Sequence, residues 1–346
     1  NIHLLHTRKG TVSNLKGGFQ VQMKEDSELE FSALGYESIR LGKDSLLALD
    51  TVFMNAKRIE LDEYKVYEKG MTGHDIVRIA MGKNTKLGYS KPYSMKAFYR
   101  HSCSEKDVYG RLIEAALTLH DNKGHKWRLE NPSDKIGVEV NQIRRSFDFT
   151  ENFDEHDPIS IYSTLKYDLY SYTSFLHFYP EDFNFQLVDT SFYENSLVWV
   201  ITYSYDKQRE KSLQKDFIKC TGKLLIRASD FGILEISEVQ NHTLRSEFEK
   251  HTYDLEWKVK YQTLNGKYFL KYIMEKGKNV DTMESTSHQI VSEKDHAFKV
   301  EIMVSDIQLE QLSRISAEEP SKTQLDEIQY DSIFWDNYTV IKNTPL

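Results

Sequence analysis

Cysteine is nearly missing: Cys103 and Cys220 are the only two in 346 residues, far apart and outside any C-x-x-C pair. That excludes a zinc knuckle and a multi-bridge disulfide scaffold. The two read as free thiols, with one bridge between them as the alternative. Proline (6) and glycine (16) are scarce beside 21 Tyr and 18 Phe, which disfavours collagenous or loop-dominated chain and favours half-buried pleated surface. No apolar run approaches the ~18 residues of a membrane-spanning helix. Asn1 opens no signal-peptide pattern, so any targeting segment is expected to have been removed or never to have been in this chain. A basic excess is also lacking. The net charge of −8 argues against the broad electrostatic footprint of a nucleic-acid or anionic-lipid binder, leaving room only for local basic patches.

Familiar catalytic spacings are absent too. No H-E-x-x-H and no H-x-x-E occurs among the 12 His. The nearest approach, His251-x-x-Asp254, falls on an expected strand whose pleat sends the two side chains to opposite faces. No Gly-Lys pair carries the flanking residues of a phosphate-binding loop, and no G-x-S-x-G elbow exists. Cys103 has His101 nearby but lacks the glycine and tryptophan context of a cysteine protease. The acidic run FTENFDEHDP (149–158) reads as a solvated loop rather than a metal site. The aromatic clusters YSYTSFLHFY (170–179) and SIFWDNY (332–338) read as core or interface packing before stacking platforms. No catalytic residue, cofactor or metal is assigned. A carboxylate pair for glycoside hydrolysis has no sequence signature, and 53 Asp and Glu are available to hide one.

What is present is β patterning. Residues 1–67 read as short strands with turn chemistry between them: IHLLHT, TVSNLKGGFQVQM, LEFSALGYESIRL and TVFMNAKRIELDEYKVY, the repertoire of a small sandwich. Within the third, Gly35 is expected to make a bulge or close backbone approach, Tyr36 to pack and Glu37 to hold a turn. A linker at 68–72 precedes Thr72-x-x-Asp75, a capping box opening a helix that ends near Lys86 with Gly88 at its C-terminal turn. From 73 to 346 one domain of helix and antiparallel strands is expected. YDLEWKVKY alternates dry Tyr253, Leu255, Trp257, Val259 and Tyr261 with wet neighbours. Asn265-Gly266 then marks a type I′ hairpin returning as KYFLKYIME. Residues 222–239 form a second hairpin; SLVWVITYSY and FKVEIMVSDI are further strands. LIEAALTLH (112–120) suits helix by propensity and strand by alternation.

Three ordered blocks carry a resemblance. Gly10, Thr11, Gly18 and Phe19, then Phe31, Gly35, Tyr36 and Glu37, then Leu61, Asp62, Glu63 and Val66 resemble the carboxypeptidase-regulatory-like domain of Bacteroidetes-type envelope proteins. That family implies a transthyretin-like or Ig-like β-sandwich without catalytic residues, here lacking its first strand. Instead of a receptor plug, KPYSMKAFYRH and YGRLIEAALTLHD follow, with Phe98, Tyr99, Arg100 and Glu114 similar to an uncharacterised envelope family. The 222–239 hairpin and FWDNYTVIKNTPL, with Phe334 and Trp335, look like the same family, and the order of elements resembles the half-barrel of lipoprotein carriers.

The implied fold is mainly β: an N-terminal sandwich, a helix, and a large curved antiparallel half-barrel. The resemblance implies an accessory or structural subunit of an outer-membrane assembly, partnered by β-barrel or lipoprotein subunits and held at the membrane indirectly or by a lipid anchor outside this chain. Two alternatives stand beside it. A lipid or lipoprotein carrier calls for a dry cavity closed by the helix; a hydrolase calls for a cleft with two converging carboxylates.

Overall fold

The computed structural model describes residues 2–7, 10–13, 17–57, 70–105, 108–125, 135–148, 161–170, 180–194, 196–211, 214–245, 249–284, 290–309, 322–336 and 338. It is mainly β, with a four-stranded and a ten-stranded antiparallel sheet, the larger one curved and unclosed.

The small sheet has the order β2-β1-β3-β4, from β1 (Ile2–Leu4), β2 (Gly10–Thr11), β3 (Glu28–Phe31) and β4 (Ile39–Gly42). Its apolar side, Ile2, Leu4, Leu29 and Phe31, is closed by Phe19, Val21, Met23, Leu46, Val52 and Met54. Those covering residues come from segments without strand pairing and from the short helix α1 (Lys43–Leu47). The expected strands TVSNLKGGFQVQM and TVFMNA therefore shrink to β2 and to a single bridge between Tyr36 and Ala56. LEFSALGYESIRL is not one strand: it folds back, β3 pairing with β4 around a turn that holds Gly35 at φ +78°. Residues 58–69, including Leu61, Asp62, Glu63 and Val66, lie outside the described residues.

Helix α2 (Gly73–Leu87) starts where the capping box places it, Thr72 and Asp75 exchanging hydrogen bonds of 3.0 and 3.2 Å. It turns Ile76, Val77, Ala80 and Met81 into the main core. Gly88 caps it in extended backbone, φ −64°.

The ten strands are β5 (Tyr93–Glu105), β6 (Val108–Asp121), β7 (Ile136–Asp148), β8 (Asn184–Tyr193), β9 (Ser196–Lys211), β10 (Gln214–Arg227), β11 (Ile233–Arg245), β12 (Glu249–Leu264), β13 (Lys267–Glu284) and β14 (Ile290–Gln308). LIEAALTLH is strand, so alternation overrides helical propensity there. In space the order is β7-β6-β5-β14-β13-β12-β11-β10-β9-β8. Two meanders, β5 to β7 and β8 to β14, are joined where β14 pairs with β5. Asn265 and Gly266 at φ +52° and +71° make the I′ turn between β12 and β13.

Period-two alternation divides the large sheet into two faces. Ile236, Val259, Ile273, Ile302, Tyr99 and Ala115 lie in register across six strands, all fully buried on the side covered by α2. Each contributes on the order of 1.5–3 kcal/mol where it buries a Val- to Phe-sized side chain. Phe98, Ala116 and Met303 belong to the opposite, outer face.

Candidate functional site

Two places gather unusual chemistry. The first is the concave face beyond the apolar row. The next row, Glu238, Trp257, Glu275, Val300, His101 and Ile113, carries two carboxylates only 6% and 5% exposed. Glu238 accepts from the Tyr203 hydroxyl at 2.6 Å, the Trp257 indole at 3.1 Å and the Gln240 amide at 2.5 Å. Gly222 makes room for this arrangement, since a Cβ there would strike the Tyr203 ring. Burial, reinforced by the Glu238 charge, pushes the Cys220 thiol and the Tyr203 phenol up from their ordinary values. Further rows hold Gln240, Leu255, Gly277, Phe298 and Cys103, then His242, Tyr253, Asn279, His296 and Glu105. Burial and Glu275 push Tyr253 up to about 12.

A strap crosses this trough. Residues 161–170 begin with the short helix α3 (Ile161–Leu165) and touch four strands in turn. The Tyr162 hydroxyl donates to the Ile136 carbonyl of β7 at 2.6 Å. Thr164 and Tyr167 donate to the Glu275 carboxylate of β13 at 3.0 and 3.1 Å. Tyr167 stacks on Trp257 of β12, centroids 4.8 Å apart, and the Leu169 N–H donates to the Tyr261 hydroxyl at 2.7 Å. Tyr170 closes on β11, its hydroxyl accepting from the Ile233 N–H at 2.7 Å. Two strand spacings set Glu238 and Glu275 roughly 10 Å apart, with Trp257 between them. Their oxygens hold Tyr203, Trp257, Thr164 and Tyr167 in place rather than converging on a cleft.

The second place is the outer face of β5, β6, β7 and β14, where a row of alternating charge runs in register. Arg144 donates to Glu114 at 2.5 Å, Arg100 donates to Glu114 at 2.7 and 2.9 Å, and Arg100 faces Glu301 at 3.7 Å. Lys299 and the Tyr272 hydroxyl complete Glu301 at 3.0 and 2.7 Å. Glu114 is 2% exposed, so this is a desolvated row whose cost is met by pairing along it. Helix α5 (Ser332–Asp336) lies over the row, following the short α4 (Lys322–Asp326). The Arg144 guanidinium stacks 4.6 Å over Trp335, which packs with Phe98, Ala116, Met303 and Val12. Phe334 and the described Tyr338 stack beside it, and the Tyr338 hydroxyl donates to the Ala97 carbonyl.

The motif residues thus partly converge. Phe98, Arg100, Glu114, Phe334 and Trp335 meet on this outer platform, beside Thr11 and Val12 just after Gly10. Tyr99, from the same block, points into the concave core. Gly10 lies where a Cβ would meet the Ile2 carbonyl at 2.6 Å. Phe19 packs edge-on against Phe31, centroids 5.4 Å apart. Gly18 is half-buried on the covering segment. Gly35 sits in the turn at φ +78° with its N–H donating to the Phe192 carbonyl of β8 at 2.7 Å, and a Cβ there would meet only the Ser191 hydroxyl at 3.5 Å, so its place is set by backbone conformation and not by a tight approach. Tyr36 does not pack as expected: it is 43% exposed. Glu37 ties the turn through its N–H to the Asn55 carbonyl. His251 and Asp254 do diverge, to Asp281 and Asn241. Cys103 and Cys220 are not joined in a disulfide. The run at 149–158 and all but Tyr170 of 170–179 lie outside the described residues.

Sequence reading missed the trough carboxylates and the strap. Glu238 did carry a signal, because it continues the inward phase of Leu234 and Ile236. Nothing local announced that residues 161–170 cross four strands.

No known family profile matches the chain, and no curated protein matches it. Among solved structures, the crystal structure of a DUF1329 family protein from Desulfovibrio piger is 9% identical, with a TM-score of 0.28, over 69% of this chain and 93% of that one.

Proposed function

We propose that the chain is a non-catalytic accessory or structural subunit of an outer-membrane protein assembly in a Gram-negative envelope, docking on larger β-barrel or lipoprotein partners. The observation that carries this reading is on the small sheet. Leu47, Leu49 and Phe53 are 77%, 48% and 84% exposed, while neighbours Leu46, Val52 and Met54 close its core. Large apolar side chains turned outward this close together mark contact surface rather than fold requirement. The resemblance of the first two blocks to the carboxypeptidase-regulatory-like domain supports the compartment and the role. Native gel electrophoresis of mild-detergent envelope extracts tests it. The wild-type chain is expected in a discrete larger species from which Leu47→Ser with Phe53→Ser releases the monomer. Migration of the wild type as a monomer overturns the reading.

A carrier of lipid or lipoprotein is the second reading, and one observation favours it: Tyr205, Tyr253 and Phe298 of the trough are half-buried, flanking the core without being sealed in it. Organic extraction of protein purified without detergent, followed by mass spectrometry for stoichiometric lipid, separates it from the first.

A further inference from the structure

The small sheet meets the large one through its polar side. Since Ile2, Leu4, Leu29 and Phe31 point into the small sheet's own core, His3 and Glu30 point the other way, and Ser32 continues that phase. Opposite them stands Glu194, at the turn between β8 and β9. It accepts from the Ser32 hydroxyl at 3.4 Å and lies 3.7 Å from the Lys271 ammonium. Lys271 is the extra residue at a register step in β13 and is only 6% exposed.

Among the described residues, charged groups reach this seam from five elements and a turn. His3 comes from β1; Glu30 from β3, with Arg40 of β4 at 3.0 Å from it; Glu194 from the β8–β9 turn; Lys260 from β12, itself 3.8 Å from Glu235 of β11; and Lys271 from β13. Around the seam the described contacts include the Thr11 hydroxyl donating to the Met303 sulfur at 3.4 Å, Val12 in the outer platform, Leu34 against the main core, the Gly35 N–H on Phe192, and the Lys57 ammonium 4.0 Å above the Phe192 ring.

A seam centred on a desolvated lysine is costly to form, unlike an apolar seal, and polar interdomain contacts of this type open readily. We propose that the N-terminal sheet is a releasable cap, freed from the large sheet when His3 gains a proton beside Lys271, while both sheets stay folded.

Burial, and then the Lys271 charge, hold the His3 imidazole below its ordinary 6.5, against the pull of the Thr7 carbonyl, Glu30 and Glu194. The freed state therefore binds the proton more readily than the docked one. Docking is at full strength above 6.5 and weakens as the pH falls through that value. Burial also lowers Lys271, with Lys260 adding to the effect and Glu194 opposing it. That penalty is relieved only as the pH rises toward 10.5, so it stands as a constant handicap at neutral pH.

Hydrogen exchange of the full chain at pH 7.5 and 5.5, corrected for intrinsic rates, tests the cap. The Gly35 amide is expected to lose protection at the lower pH. The β1–β3 ladder and strands β10 to β13 should keep theirs. His3→Gln, which cannot protonate, should abolish the pH response, and Lys271→Met should raise Gly35 protection at both pH values. Equal Gly35 protection at the two pH values, or a pH response surviving in His3→Gln, overturns the proposal. So does parallel loss in the β1–β3 ladder, which reads as unfolding of the small sheet.

Discussion

Glu114 shows how much one side chain can decide. It sits between Arg100 and Arg144 at 2% exposure, so removing it takes the shared carboxylate from both and leaves the buried Arg100 facing only the more distant Glu301 at 3.7 Å along that row. Glu114→Ala is expected to cost about 3–5 kcal/mol, the usual penalty for breaking a buried pair, read as a fall in the denaturant midpoint. Replacing Arg100, Glu114 and Arg144 together by apolar residues should cost less than that single change. At this scale the sequence was legible in part. Phe98, Arg100, Glu114 and Trp335 stood out as motif residues, yet nothing in their spacing said that an arginine from β7 would stack on the tryptophan. Tyr36 stood out equally and turned outward, because the expected strand around it is a turn.

Among the elements, α2 and the hairpins follow local rules, and these were the legible parts. The capping box is a two-residue device, so Thr72→Ala should lower stability by about 1 kcal/mol at neutral pH. Its hydrogen bonds hold the Asp75 carboxyl below 3.8, Thr72 being the main cause. The stabilisation they bring is present above 3.8 and lost as the pH falls below it. The difference in thermal midpoint between wild type and Thr72→Ala should therefore shrink in acid. A difference that is constant from pH 7 to 3 would count against the reciprocal cap. The small sheet was less legible, since its covering layer is irregular chain. Composition gave Phe19, Val21 and Met23 a strand's alternation, and packing onto Phe31 satisfied it without a ladder.

For the whole molecule, the arrangement of strands was beyond local reading. Every hairpin from β8 to β14 joins neighbours in sequence, but the pairing of Ala97 with Val304 joins the start and end of the large-sheet chain. Such a seam bears the loop-closure cost of the intervening chain and should form late. Val304→Ala, at a position that pairs with β5 and lies beyond the β13 ladder, is expected to speed unfolding and leave the folding rate nearly unchanged. Ile236→Ala, within the local β10 to β12 meander, should slow folding instead. Equal folding-rate effects from the two would reverse that order of events.

The strap has a mechanical meaning as well. Strands β7 and β8 follow one another in the chain yet stand at opposite edges of the large sheet, so the chain between 148 and 184 must span from rim to rim. Sheet and strap form a bow and its string. A cut within the described strap, residues 161–170, is expected to uncouple β7 from β11, β12 and β13 on the concave side while leaving the ten-stranded ladder itself intact.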